Sequence, residues 1–441
     1  MNSILARLEK GYVVLAMLVF SGGPFELILS GGADQETAYK PYDSTLIRLA
    51  YLVIYLITFF LLCKQGSRAI LQIPKKCLSI WILIGFAALS IIWSASPDVT
   101  FEESVTLSGS SLFGLYLASR FSLEEQLRLL AYTLGLAIVM SIAFGVGLPQ
   151  YAIMGGIHEG AFRGIFIHKN TLGSRLALSA PLFLILGLSS RRYRALCMGF
   201  VGVSAALLVP ARSTAGAINL LFIICLSQFL KLFKWRYVLI IPILSFLLAV
   251  GVVVGTAIVG NFDAILLGLG KDPTLTGRTI LWSVVWEKIQ QHFWLGYGYE
   301  GFWPTQVHPG SYVWRATDWN PTHPHNGFLT IWVDLGLIGV ILFATGLVSA
   351  LRRSFALLRF EPSPIGYWPL VHISLMLFSS LSESTILRTN DLYWILYIAA
   401  AHTVAQLVDA RNLAPTIAVG QKQTNQIDDF VDWKSKSVNQ L

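Results

Sequence analysis

Charge is what this sequence has least of. Only 13% of its 441 residues are Asp, Glu, Lys or Arg, about half the share of a typical soluble domain, while 55% are hydrophobic. So little charge cannot cover the surface of a soluble multidomain enzyme, and so much apolar content excludes a disordered chain. The net charge of +8 is no argument for nucleic acid, because the cytoplasmic loops of a membrane protein carry a basic excess on their own. Cysteine is scarce too. Cys63, Cys77, Cys197 and Cys225 are scattered without a C-x-x-C, which argues against disulfides and thiolate metal sites. There is no repeat at a fixed period. A cleavable signal is not evident either: the first apolar run, from Tyr12, is interrupted by S-G-G-P-F-E and lacks a small-residue cleavage site, so it is expected to stay as a first span.

Long apolar runs are abundant, and mean hydropathy is +0.63. A helix needs about 20 apolar residues to cross a bilayer. Such runs lie near 12–30, 44–62, 78–93, 104–119, 127–148, 171–189, 195–210, 214–230, 237–259, 326–348, 366–384 and 392–409. The expectation is an all-α polytopic membrane protein with about twelve transmembrane helices. With the amino terminus inside, roughly two thirds of the Lys and Arg residues fall on the cytoplasmic side, as the positive-inside rule requires. Both termini then face the cytoplasm. Residues 1–410 read as one integral membrane domain, and 411–441 as a flexible cytoplasmic tail. The outside is concentrated in the connection 260–325, which is long enough to expect a role. It carries Trp282, Trp286, Trp294, Trp303, Trp314 and Trp319, suited to a membrane surface.

Four stretches on that outer face could carry chemistry. From Thr279, the polar residues Thr279, Ser283, Glu287 and Gln290/Gln291 recur at helical spacing, leaving Leu281, Val285 and Ile289 on another face. This predicts an amphipathic helix of about five turns lying on the bilayer. Arg278 falls at its amino-terminal end, where unpaired backbone N–H groups favour an anion, or else it anchors to lipid headgroups. His323 and His325 sit just before an apolar run between Pro321 and Asn326, where an imidazole can exchange a proton near neutral pH. The blander readings there are an interfacial histidine and a helix cap at Asn326. A zinc set of His308, His323, His325 and Asp318 is a weaker alternative. The stretch 162–175 adds Arg163, His168, Lys169, Asn170 and Arg175, and V-P-A-R-S places Arg212 at an outside turn. Ionised groups such as Arg175 and Arg212, at or within apolar runs, are expensive and point to a site. Several arginines converging beside a histidine suit a polyanion held at the membrane surface while a proton moves. Glu383 and Asp391 are the main acids of the last outside turn, with no role assigned.

At these residues the chain resembles the bacterial O-antigen ligase and O-antigen polymerase superfamily. The resemblance rests on R-G-x-F-x-H-K-N at Arg163–Asn170, A-R-S at Ala211–Ser213, and G-R-x-x-x-W at Gly277–Trp282. It continues in H-x-H-N-x-x-L with D-L-G-L-I-G at His323–Gly339, and G-Y-G-Y-E-G-F-W at 296–303 looks most like the exopolysaccharide polymerases of the group. The resemblance implies a metal-independent, inverting glycosyltransferase of the inner membrane with no cofactor. Its donor would be a glycan on undecaprenyl pyrophosphate, its acceptor a second glycan, and its site periplasmic. Arg212 and Arg278 would hold the pyrophosphate, and His325 would be the base. Arg163, His168, Asn170, Arg175 and Asn326 would contact donor or acceptor. A flippase and a chain-length regulator would be its partners, and nucleic acid would not. No D-x-D-like cluster in an outside loop offers to hold a metal on a nucleotide sugar. The alternatives are ligation to lipid A core or protein, and a small-solute permease. The loop K-Q-G-S-R-A-I-L-Q-I-P-K-K lacks the carrier signature expected of the permease, and the two halves do not look alike.

Overall fold

A computed structural model describes residues 3–32, 45–233, 278–303, 309–317, 321–361 and 363–411, without the side chains of 72, 157, 227–233, 278 and 279. The expected span 237–259, the stretch 260–277 and the tail 412–441 lie outside the described residues. Helices α1 (Ser3–Phe20), α2 (Thr45–Lys64), α3 (Leu78–Leu89), α4 (Pro97–Arg120) and α5 (Leu123–Gly147) come first. Then follow α6 (Lys169–Ser189), α7 (Arg194–Ala211), α8 (Thr214–Phe233), α9 (Arg278–Gln291), α10 (Gly327–Leu357), α11 (Trp368–Ser379) and α12 (Leu392–Arg411). The described residues hold no strand beyond one isolated bridge, Ile153 to Phe162. All four cysteines are free.

Among the described residues six helices, α2, α5, α6, α7, α10 and α12, are long and apolar enough to cross a membrane. The bent pair Arg68–Lys75 and Leu78–Ile92 would make a seventh. The chain is an all-α polytopic membrane protein; among the described residues length and hydropathy identify six or seven of the twelve spans expected, and the expected span 237–259 lies outside them. Two of the other expected spans fall below that measure for a physical reason. Helix α4 is lined by buried Ser104, Gly109, Ser110, Ser111 and Gly114, small residues that let neighbours approach but lower hydropathy. Helix α11 has only 12 residues.

Of these six helices α12 is the most enclosed, 83% of its apolar stretch being buried at a mean hydropathy of only 1.2. Its polar side chains are tied to the helices around it. Trp394 donates to Ser111 at 2.9 Å, Trp81 donates to the His402 ring at 3.0 Å, and Gln126 donates to Thr403 at 3.0 Å. Buried polar groups without such partners would each cost a few kcal/mol, so these pairs fix how the helices surround α12. His372, on α11, is likewise held at 3.1 Å from the Tyr393 carbonyl.

The two ends of the bundle are distinct. At one end Arg120 clasps Glu9 at 2.7 and 2.9 Å, Lys76 meets Asp409 at 2.9 Å, and Arg353 donates to the Lys76 carbonyl at 2.7 Å. At the other, Arg175 of α6 reaches the Ser21 carbonyl just past α1, and the Gly327 N–H bonds the Ser380 carbonyl just past α11.

Helix α10 is broken. Gly336 adopts φ 64° and ψ −169°, a region open only to glycine. The preceding stretch 293–298 docks into the break and exchanges hydrogen bonds with it. Tyr297 and Gly298 N–H groups donate to the Val333 and Asp334 carbonyls, both at 2.9 Å. In return, Leu337 and Ile338 donate to the Phe293 and Trp294 carbonyls at 2.8 and 3.3 Å. In a continuous helix those two donors would have served those two acceptors. A Cβ on Gly336 would lie 2.2 Å from the Trp294 carbonyl carbon. Gly336→Ala combines that clash with a forbidden conformation and is expected to destabilise the fold by about 3 kcal/mol or more. The level of membrane-inserted protein and its melting temperature in detergent check this, and a normal melting curve would refute the docking.

Candidate active site

Helix α9 forms at Arg278–Gln291, about four turns where five were expected, and Arg278 opens it. Leu281, Val285 and Ile289 are fully buried, as the spacing predicts. Their partners correct the expectation of a helix lying on the bilayer. They pack with Tyr297, Phe302, Trp303, Val313 and Val333, so the apolar face is covered by protein. Trp282, on this helix, donates its indole N–H to the Pro324 carbonyl at 2.8 Å. The helix that begins with Arg278 thus positions the residue before His325.

His325 itself has φ 51°, a left-handed conformation that histidine tolerates better than most residues. Its backbone N–H donates to the His323 ring at 3.2 Å, and the two rings lie 4.1 Å apart. The next residue caps α10: the Asn326 side chain accepts from the N–H groups of Phe328 and Leu329 at 3.0 and 3.2 Å. Asn326 is therefore engaged in the helix, and His325 stands just outside its first turn. The His325 Nδ1 lies 3.7 Å from a Glu383 carboxylate oxygen, an ion-pair contact when the ring is protonated and too long for a hydrogen bond.

Polar contacts run on from Glu383. Asn170 donates its amide to the other Glu383 oxygen at 3.5 Å, and Ser213 donates its hydroxyl to the Asn170 side-chain oxygen at 3.4 Å. Ser213 follows Arg212 directly. Helices α6 and α8 are held close here by the glycine pair Gly173 and Gly216, where an added Cβ on Gly216 would meet the Gly173 Cα at 2.8 Å. The bundle thereby brings His325, Glu383, Asn170 and the Arg212 turn to one end. Arg212 has φ 48°, is exposed, and gives one guanidinium N–H to the Glu159 carbonyl at 3.2 Å. The Arg278 side chain lies outside the described residues.

The other candidate residues are placed differently. Arg163 is 2% exposed and donates to the carbonyls of Tyr151, Ile167 and Gly32 at 2.8, 3.1 and 2.6 Å. Arg175 pairs with Asp391 at 2.8 Å, both largely buried, and so ties α6 to the start of α12. His168 caps α6 by accepting the Asn170 N–H at 3.1 Å. These three hold the frame around the site, and Asp391, which sequence left open, finds its role there. Glu383 is the residue that sequence reasoning did not place. Its only signal is an acid in a polar turn, S-E-S, between two apolar runs. Nearby, burial pushes the Glu300 carboxyl above the usual carboxylate range, opposed by Arg388 and reinforced by Glu103. His308 and Asp318 of the zinc alternative lie outside the described residues, and among the described ones no three His, Cys, Asp or Glu side chains gather as metal ligands.

Residues 199–344 match the family profile described as O-antigen ligase. That range takes in Arg212, Arg278 and His325. Among curated proteins, the exopolysaccharide production protein ExoQ of Rhizobium meliloti (strain 1021) is 27% identical over 279 residues, covering 60% of this chain and 62% of that protein. A putative polysaccharide ligase of Rickettsia felis is 35% identical over 78 residues, 17% of this chain and 19% of that protein. The chain spans less than two thirds of the length of each of these relatives.

Proposed function

We propose, from the premise that this chain is of the O-antigen ligase and O-antigen polymerase superfamily, that it is a polymerase of lipid-linked glycan repeats. In this reading a hydroxyl of the acceptor glycan attacks the anomeric carbon of a donor held on undecaprenyl pyrophosphate. The new glycosidic C–O bond forms as the bond to pyrophosphate breaks, with inversion. The hydroxyl proton passes to His325, and the leaving pyrophosphate keeps the electron pair. Arg212 and Arg278 hold that developing charge, the part a divalent cation plays elsewhere. Glu383 faces the imidazolium that results. In the same reading the chain crosses the inner membrane twelve times, with both termini cytoplasmic and this end of the bundle periplasmic.

The observation that carries the reading is the run of contacts from the Arg212 turn through Ser213, Asn170 and Glu383 to His325. An exposed guanidinium at the same end of the bundle as an imidazole supports a reading in which one holds an anionic donor and the other takes a proton. The exopolysaccharide relative favours polymerisation. The ligase description of the profile and of the second relative favours transfer to a different acceptor. The test is the purified protein in proteoliposomes with a lipid-linked repeat donor and excess EDTA. A ladder of lengthening lipid-linked chains is expected. A product formed only with lipid A core added would move the assignment to ligation. Loss of transfer in EDTA with rescue by zinc would overturn the metal-free mechanism.

A further inference from the structure

At the end of the bundle opposite His325 lies a cavity of about 990 Å³ between α1, α2, the turn 68–75 and the last residues of α4. That is the upper end of the size range of small-molecule sites. Its walls include Leu5, Leu8, Ile57, Leu61 and Ile73. Leu5 and Leu8 are more than half exposed, so the walls continue onto the exposed apolar surface. Lys64, Gln65 and Arg68 stand at its polar part.

The charges there do not cancel. Glu9 is the acid that lines the cavity, and it is engaged by Arg120 at 2.7 and 2.9 Å and by the Tyr116 hydroxyl at 2.7 Å. Lys64 rests its ammonium 4.6 Å over the Phe60 ring, a contact that leaves its protons for an anion. Arg68 is exposed. A third donor lines the cavity: the Gln65 amide nitrogen is buried with no hydrogen-bond partner among the described residues. Two cations and an amide donor with no acid or acceptor against them among the described residues, above apolar walls, describe an amphiphile with an anionic, acceptor-rich head. The backbone is shaped for it as well. Arg68–Gln72 forms one turn of π-helix, a form that clusters at functional positions, and Arg68–Lys75 bends 103° from Leu78–Ile92 to roof the cavity.

We propose that this cavity binds one anionic phospholipid of the adjacent leaflet, its phosphate on Lys64, Arg68 and Gln65 and an acyl chain against Leu5, Leu8 and Leu61. The occupant is a leaflet lipid because the cavity opens among exposed apolar side chains at the end of the bundle. The site is separate from the proposed transfer chemistry, so its test stands or falls without it.

The full chain is purified in detergent, and bound lipid is counted by native mass spectrometry after titration with phosphatidylglycerol or phosphatidylcholine. One phosphatidylglycerol should be retained in preference to phosphatidylcholine. Each cation near an anionic headgroup is worth about fivefold, so the pair Lys64→Ala and Arg68→Ala should weaken retention roughly 10- to 30-fold. Arg191→Ala with Arg192→Ala removes the same charge from exposed positions that do not line the cavity, and should leave that one lipid bound. Leu5→Trp, at an exposed wall position, narrows the cavity without changing charge and should also displace the lipid. Equal retention of the two lipids would overturn the proposal, and so would equal loss in the two double variants.

Discussion

Removing the imidazole at position 325 should lower glycan transfer by about 10²- to 10⁴-fold, the range that a positioned general base contributes. A sugar hydroxyl is a poor nucleophile near neutral pH, and the site has to take its proton as the new bond forms. His325→Asn is the variant to read first, because asparagine accepts the left-handed backbone (φ 51°) that alanine resists. Lipid-linked single repeats should accumulate in cells while the amount of inserted protein stays normal. Two neighbours separate a base from a structural histidine. His323→Ala should be milder, since His323 accepts the His325 backbone N–H and so shapes the turn. Glu383→Gln keeps the shape at 3.7 Å but removes the charge facing the imidazolium, and should cost less than loss of the base. Full activity in His325→Asn would end the base assignment.

Arginine-to-lysine changes at 212 and 278 should cost about 10²-fold each in transfer, comparable to removing one preorganised donor from a transition-state site. Lysine keeps the charge and so preserves attraction to an anion. It loses the planar fork that donates to two oxygens at once. Arg212 is already oriented by one N–H to the Glu159 carbonyl, a contact that lysine would have to reach from a single point. Because the fork matters most as charge develops on the leaving pyrophosphate, the loss should appear in kcat rather than in donor binding. Wild-type rates in both lysine variants would mean that these arginines only anchor the chain to headgroups.

The parts of the fold that depend on local pattern are legible in the sequence. Leu281, Val285 and Ile289 announce the buried face of α9, and Asn326 announces the start of α10, because periodicity and capping involve residues a few positions apart. What cannot be read are pairings over long separations. Arg175 looks like a ligand for an anion until Asp391, 216 positions on, is found beside it. Arg163 looks the same until three backbone carbonyls from separate turns surround its guanidinium. Glu383 reaches His325 only because the turn after α11 folds over the start of α10. The break in α10 is hidden for another reason. D-L-G-L-I-G carries no proline or other breaker beyond its glycines and sits within a long apolar run, and only the docked segment shows why a glycine must stand at 336.

That break also bears on biogenesis. A transmembrane helix ordinarily leaves the insertion machinery with its backbone hydrogen bonds closed within itself. Helix α10 cannot, since Leu337 and Ile338 find their acceptors in Phe293 and Trp294. Those acceptors precede it in the chain, so they are synthesised first and are waiting when α10 emerges. Maturation of the half-helix Gly327–Leu335, with His325 at its head, is therefore tied to prior delivery of the 293–298 segment to the same side. A chain whose segment is not yet docked leaves the Leu337 and Ile338 N–H groups without these acceptors, so closing the break in α10 waits on 293–298 even when every apolar run is in place.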